Sequence, residues 1–465
     1  MNKQPNIVTI LIDDMGWTDL SYCGSNFYES PNIDRLCERG MRFTRAYAAC
    51  PVCSPSRASF LTGKYTATVG VTNWIANPGV HPRYGKLIDA PYIDHLPLEE
   101  TTIAHLLKSG GYDTWHVGKW HLGNEEYWPD KVGFDVNIGG CHWGRPRTGY
   151  VMPCGIPTLP DGPDGEHLTD RLTDEAINLV RNRSDKPFYL NLWYYDVHHP
   201  FYGKPEQVAY FEEKARRMGL DKLNPFEEGE YFTTMHNNHL RAVRRKFHSD
   251  PVYAAMIYNL DYNVGRLVDY LESEGLMDNT LILFTSDNGG LATAKGSPTC
   301  NAPAREGKGW VYDGGTRVPA FFVWKDHIPE GTTCSTATCT PDIFPTLLEA
   351  AGIENPADNK IDGLSLMPLL TGADDLPERP IFWHYPHYSD PGGTPAAIVM
   401  LGEYKLIEFF EDMHTELYNL SADPSELNNL VEQMPEKATE LLTLLHNWQT
   451  SVNAKMPTVN PDYTE

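Results

Sequence analysis

Two pairs of oxygen-bearing side chains and one cysteine carry the first chemical suggestion in this chain. Asp13-Asp14 and Asp287-Asn288 supply four side chains with oxygen donors, and a hard divalent cation binds clustered carboxylate and amide oxygens. Each pair alone also has a structural reading, because Asp-Asp caps helices and Asp-Asn-Gly-Gly is a turn sequence. Cys50 and Cys53 spell C-x-x-C, the spacing of a redox pair or of half a zinc site. A second C-x-x-C is missing, and the commonest fate of a cysteine is burial in a core. Cys53 opens the run Cys53-Ser54-Pro55-Ser56-Arg57, a Ser/Pro-rich turn with a helix-like stretch at 58–61 behind it.

Residues this far apart need a frame that gathers them. Four short apolar runs each end abruptly in polar residues: 6–12 in Asp13-Asp14, 113–117 in Gly118-Lys119-Trp120-His121, 188–195 in Asp196-Val197-His198-His199-Pro200, and 281–285 in Ser286-Asp287-Asn288-Gly289. Near-continuous apolar runs of that length read as strands buried on both faces, as in a parallel sheet. Helical patterns lie between them at 101–109, 168–183 and 252–274, the last with Ile257, Leu260, Val264, Leu267, Val268 and Leu271 at helical spacing. Strand–helix alternation predicts an α/β fold with helices on both sides of the sheet. Ligands gather at the carboxyl ends of such strands, and every polar cluster named above sits at one.

Pro/Gly-rich stretches at 76–97 and 139–165 are too long for simple turns and read as pocket-building loops. Residues 206–250 read as a charged, mostly helical insertion whose Arg241, Arg244, Arg245 and Lys246 could meet an anion but read first as a solvated helix face. Further on the pattern changes: 381–385, 396–401, 404–410 and 416–420 look like hairpin-connected strands, and 435–452 like an amphipathic helix. The expected division is a catalytic α/β domain at 1–375 and a smaller α+β domain at 376–465.

The eleven residues from Cys53 to Gly63, C-x-P-S-R-x3-L-T-G, resemble the signature of the type I sulfatases. The similarity covers nearly the whole chain, including Glu416-Leu417-Tyr418-Asn419-Leu420 followed by Asp423-Pro424 and Glu426. It implies an alkaline-phosphatase-like fold: a large mixed, mostly parallel sheet between helices, with a C-terminal antiparallel sheet and helix. It implies that Cys53 is oxidised to formylglycine by a maturation enzyme, and that Asp13, Asp14, Asp287 and Asn288, with position 53, hold calcium, magnesium being the alternative. Arg57, Lys119 and Lys308 match the family's cations in C-x-P-S-R, G-K-W-H-L-G and G-K-G, and His121 and His198 match its histidines. In the implied mechanism the formylglycine hydrate attacks sulfur in line with the ester oxygen. Lys119 and Lys308 hold the sulfate oxygens, His198 with Lys308 protonates the leaving alcohol, and His121 takes the proton that lets the aldehyde re-form and sulfate depart.

The 72–75, 139–144 and 382–388 stretches look like those of bacterial carbohydrate sulfatases acting on sulfated galactose or N-acetylgalactosamine of glycosaminoglycan, mucin or algal glycans. They point to His142, Trp143, Arg145, His199, His384 and His387 as sugar-binding candidates. Phosphate or phosphonate monoester hydrolysis on the same fold, and desulfation of an aryl or choline ester, are the alternatives.

Composition narrows the partners. Of 465 residues, 38 are Lys or Arg against 62 Asp or Glu, giving a net charge of −24. So acidic a surface argues against nucleic acid or an anionic membrane as partner, while a local cationic pocket still accepts a small anionic sugar. The nine cysteines form no evident disulfide framework. The first apolar run is too short for a signal-peptide core, so the expectation is a cytoplasmic protein or an exported form whose leader has been removed.

Overall fold

Val8, Ile10 and Ile12 point into one apolar core, and Ile7 and Leu11 into another. This period-two alternation within an all-apolar run makes Asn6–Ile12 a strand buried on both faces. Phe188–Trp193 behaves the same way, with Phe188, Leu190 and Leu192 on one side and Tyr189 and Trp193 on the other. The computed structural model describes residues 4–76, 85–235, 237–294, 296–373 and 375–463.

Among these, eight strands form one sheet, in the order Thr332–Cys334, Met41–Phe43, Ala320–Val323, Thr280–Ser286, Asn6–Ile12, Phe188–Trp193, Asp113–Gly118 and Val136–Ile138. The five strands from Thr280–Ser286 to Val136–Ile138 are mutually parallel. Ala320–Val323 runs antiparallel to both of its neighbours. Helices Pro31–Cys37, Leu168–Arg181, Pro205–Met218 and Pro251–Ser273 cover one face. Cys53–Thr62, Ile103–Ser109 and Ile343–Ala351 cover the other. This is the large, mostly parallel sheet between helices that the strand–helix alternation predicts.

A second sheet, of four antiparallel strands (Ile381–Tyr385, Ala396–Leu401, Tyr404–Phe409 and Thr415–Asn419), follows the chain order. Helix Pro435–Ser451 packs on it through Ala438, Leu441 and Leu445. Its core is not private: Tyr47, Ala49, Cys50, Val52 and Tyr65, from the segment around Cys53, are buried in it. The Trp383 indole N–H donates to the Ala48 carbonyl at 2.7 Å. The smaller sheet therefore braces the segment that carries the signature cysteine.

The insertion at 206–250 departs from its expected helicity. Helix Pro205–Met218 accounts for its first third, after which Phe226–Tyr231 and Arg241–Arg245 pair as a hairpin. Nor are its arginines one solvated face: Arg244 pairs with the buried Glu306, and Arg245 is itself buried. Of the long loops, residues 77–84 in the 76–97 stretch lie outside the described residues.

Candidate active site

The sheet register brings the strand ends level. Ile12 is opposite Ser286, while Leu11 and Gly118 both stand opposite Trp193. Backbone bonds then lace the emerging segments together: Asp13 N–H to Asp196 O (2.7 Å), Asp287 N–H to Ile12 O (3.1 Å) and Lys119 N–H to Trp193 O (2.7 Å). Gly118 lies at φ 105°, and a Cβ there would meet the Trp193 carbonyl oxygen at 1.9 Å, so only glycine lets the chain leave the sheet at this point. Asp14 (φ 64°) and His121 (φ 60°) adopt the left-handed conformation where their segments turn into the site, a kind of strain that collects at functional residues.

Cys53 is not in a turn. It is the first residue of helix Cys53–Thr62, and the signature explains why. Pro55 occupies the third helical position, where a backbone N–H has no intrahelical partner to lose. The Ser56 hydroxyl clamps Cys50, accepting from its N–H at 3.0 Å and donating to its carbonyl at 3.1 Å. The Ser54 hydroxyl accepts from Ile75 N–H at 3.0 Å. Arg57, four residues on, stands one turn away on the same face as Cys53. The thiol is 3% exposed, and burial pushes it up to about 12 against the opposing pull of Lys119 and Lys308. Cys50 is likewise pushed up by burial. The two cysteines of the C-x-x-C part company: Cys50 belongs to the core of the smaller sheet, while Cys53 groups with Asp13, Asp14 and His198, and no two of the nine cysteines are bonded to each other.

Three carboxylates and three cations interlock beneath Cys53. Lys119 Nζ reaches Asp13 Oδ2 at 2.6 Å, Lys308 Nζ reaches Asp14 Oδ1 at 2.6 Å, and Arg57 reaches Asp287 Oδ2 at 2.7 Å. The Arg57 guanidinium also donates to the Lys119 carbonyl at 3.1 Å and lies over the Trp193 ring. Lys308 is anchored by its own N–H on the Gly290 carbonyl, and the next N–H, of Gly309, bonds to the Pro51 carbonyl. The second cation loop is thus tied to the cysteine segment. Ligating atoms of Asp13, Asp14, Cys53 and His198 all lie within 4.8 Å of one another.

The donor set fits a hard divalent cation. Asp13 Oδ1 and Asn288 Oδ1 are buried and meet no hydrogen-bond donor, which is costly unless something else satisfies them. Asn288 spends its amide N–H₂ on Asp14 Oδ1 and on the Gly289 carbonyl, leaving its oxygen free to ligate. Burial, opposed by Lys119 and reinforced by Asp287 and Asp14, pushes Asp13 up to about 8, and a bound cation would return it to its charged form. Asp287, beside Arg57, is held below the usual range against its burial. The geometry adds His198 to the expected ligand neighbourhood, its Nε2 standing 3.6 Å from Asp14 Oδ2.

Both histidines have assignable tautomers. His121 Nε2 sits 2.8 Å from the Ile75 carbonyl, which can only accept, so Nε2 carries the proton. The remaining lone pair, on the buried Nδ1, has no partner. His198 Nδ1 similarly donates to the His199 carbonyl at 2.7 Å, turning Nε2 toward Asp14. Burial and the nearby lysines hold both rings well below the ordinary histidine value.

This buried floor opens into a cavity of about 810 Å³. Cys53, His121, His198 and Lys308 line its base, and Trp74, His142, Trp143, Arg145, Arg147, His199, Phe201 and Asp390 are among its walls. A family profile described as "Sulfatase" matches residues 5–353. The chain belongs to the sulfatase family. It is accordingly a sulfuric ester hydrolase, with the alkaline-phosphatase-like sheet of that family. A second profile, described as "N-sulphoglucosamine sulphohydrolase, C-terminal", matches residues 306–454. The sulfatase is 34% identical to the N-acetylgalactosamine-6-sulfatase of Sus scrofa over 87% of this chain and 71% of that one. Among solved structures it is similar to Ps i-CgsB in complex with k-i-k-neocarrahexaose (TM-score 0.77, 27% identity, 96% of this chain and 93% of that one). It is also similar to a protein in complex with its substrate D-glucosamine-2-N,6-O-disulfate (TM-score 0.73, 25% identity, 97% and 98%).

The structure gathers Cys53, Arg57, Lys119, His121, His198, Lys308, Asp13, Asp14, Asp287 and Asn288 into one site. It brings His142, Trp143, Arg145 and His199 to the cavity wall. His384 and His387 are elsewhere, in the interior. His384 donates to the Lys455 carbonyl at 2.8 Å and meets Gln449, while His387 bonds Thr72 at 2.8 Å and lies 3.6 Å from Asp89. Both are 1% exposed or less, so they fasten the smaller sheet to its neighbours instead of facing a ligand. Arg147 and Phe201 escaped the sequence reading. The sole available signal was Arg147 standing two residues after Arg145 in the same loop.

Proposed function

We propose that this sulfatase removes a sulfate ester from a single sugar ring, on galactose or N-acetylgalactosamine, with Cys53 converted to formylglycine and calcium held by Asp13, Asp14, Asp287 and Asn288. The observation that carries the sugar is the cavity wall. Trp74, Trp143 and Phe201 offer aromatic surface, and His142, Arg145 and His199 offer polar contacts around it, within a volume suited to a small ligand. The carbohydrate names and ligands of the relatives support the same class.

A divalent cation in this set supplies positive charge for the sulfate oxygens and favours an ionised hydroxyl at position 53. The chain does the rest. The Cys53 position, at a helix N-terminus, faces anions with the positive end of the helix dipole. Lys119 and Lys308 present ammonium groups already fixed by Asp13 and Asp14, so they need little reorganisation when sulfate charge develops. His121, neutral with its free lone pair on Nδ1, is set to take the proton whose loss re-forms the aldehyde and expels sulfate. His198, held low by burial and by the lysine charges, takes up a proton from solvent as the anionic ester enters, and delivers it to the departing sugar oxygen. Since Cys53 is buried, its maturation enzyme acts on the chain before this helix closes.

The test is desulfation of 4- and 6-sulfated galactose, N-acetylgalactosamine and glucosamine, with the phosphate ester of one shared alcohol as control. Turnover of a sulfated sugar is the expected result, and a clear preference for the phosphate ester would overturn it. Mass spectrometry of the Cys53 peptide should show aldehyde in active protein; full activity with unmodified thiol would sink the formylglycine reading.

A further inference from the structure

The cations of this site stand at two levels. Arg57, Lys119 and Lys308 are each paired with a carboxylate at the floor. Arg145 and Arg147 rise from the wall, exposed, in a protein whose net charge is −24. Arg145 meets His199 Nδ1 at 2.9 Å and pairs with no carboxylate among the described residues. Arg147 lies over the Trp143 ring at 4.7 Å and 3.3 Å from His142 Nε2. Asp390 is the one carboxylate among the described wall residues.

The loop that carries both arginines is pinned to the reacting centre. The His121 N–H donates to the Cys141 carbonyl at 3.0 Å. Gly144 packs so closely on the His121 imidazole that a Cβ would stand 2.6 Å from Cε1. From the other direction a short relay of contacts leads outward. His198 faces Asp14, stacks obliquely on His199 with ring centroids 4.4 Å apart, and His199 touches Arg145. The Arg145 guanidinium therefore stands outward of His198, on the wall of the cavity that would hold the rest of the sugar.

We propose that Arg145 and Arg147 form a second anion subsite, so that the preferred substrate carries, besides the scissile sulfate, another oxyanion: a second sulfate on the same ring or a carboxylate on the next. This deepens the sugar reading above and rests on it. Guanidinium groups suit either anion because their fork of N–H donors matches two oxygens at once.

Calorimetry on full-length Cys53→Ala protein with metal present tests the subsite without turnover. The matched probes are N-acetylgalactosamine 6-sulfate against its 4,6-disulfate, glucosamine 6-sulfate against its 2-N,6-O-disulfate, and N-acetylgalactosamine 6-sulfate against its glucuronate-linked disaccharide. In at least one pair the added anion should tighten binding about tenfold, and which pair responds separates sulfate from carboxylate. An Arg145→Gln/Arg147→Gln variant should bring that ratio near one, and Arg145→Lys/Arg147→Lys should keep most of it. The subsite is refuted if the added anion never tightens binding, or if its advantage survives the glutamine pair. If no sulfated sugar binds while converted wild-type enzyme hydrolyses an aryl sulfate, the sugar reading itself fails and takes this inference with it.

Discussion

The floor and the wall of the cavity are built on opposite principles. The floor is centred on strand ends, with Arg57 added from a helix and Lys308 from a loop: its six charged groups are buried or nearly so, each cation is matched to a carboxylate, and backbone bonds between neighbouring segments hold it. The wall sits on loops, its arginines are exposed, and its contacts include rings and imidazoles. A buried ion pair is unforgiving, because removing one partner strands the other in a low dielectric. An exposed arginine is forgiving, since water replaces what it loses. Reaction type therefore resides where substitution is costly, and substrate choice where it is cheap.

Four substitutions would break or sharpen that contrast. Cys53→Ala should cost the largest factor, about 10⁴ or more in kcat, since no other group replaces the nucleophile. Its thermal transition should shift little; a variant retaining a tenth of the activity would remove position 53 from the chemistry. Lys119→Ala should lower kcat by about 10²–10³. It should also destabilise the metal-free protein by removing the 2.6 Å pair with Asp13, by less than a full buried charge costs because Asp13 can take up a proton, and an added divalent cation should recover part of that loss in a denaturant titration. A loss confined to stability would make Lys119 a purely structural partner of Asp13. Trp143→Ala, at the wall, should raise KM for a sulfated sugar about tenfold, consistent with the loss of one aromatic contact. The same variant should leave a small aryl sulfate nearly unaffected, and equal losses on both would show that the tryptophan positions the floor. The smallest catalytic effect belongs to His384→Ala, which should leave KM within about twofold while costing about 1–3 kcal/mol for the hydrogen bonds it abandons. A large KM change there would return His384 to the list of sugar contacts.

The same contrast decides what could be read from residues alone. Asp13, Lys119, His198 and Asp287 were legible because an apolar run ending in polar residues marks a buried strand, and the end of such a strand is a defined place. The Cys53 segment was legible as chemistry but not as geometry: Ser, Pro and Ser suggest a turn, yet each has a use in starting a helix. The hairpin in the 206–250 insertion was missed because Arg and Glu in strand positions carry no apolar alternation. His384 and His387 misled because an aromatic, histidine-rich strand looks the same whether it faces a sugar or a neighbouring sheet.

By itself the amino-acid sequence determined the family resemblance, through the run from Cys53 to Gly63, and the resemblance implied the reaction. That run and the oxygen-donor pairs after apolar runs are local features, and local features survive in one dimension. Only the tertiary structure decided which side chains meet at the mouth of the cavity. A loop's position is set by distant contacts such as those of Cys141 and Gly144 with His121, and no spacing within the loop records them.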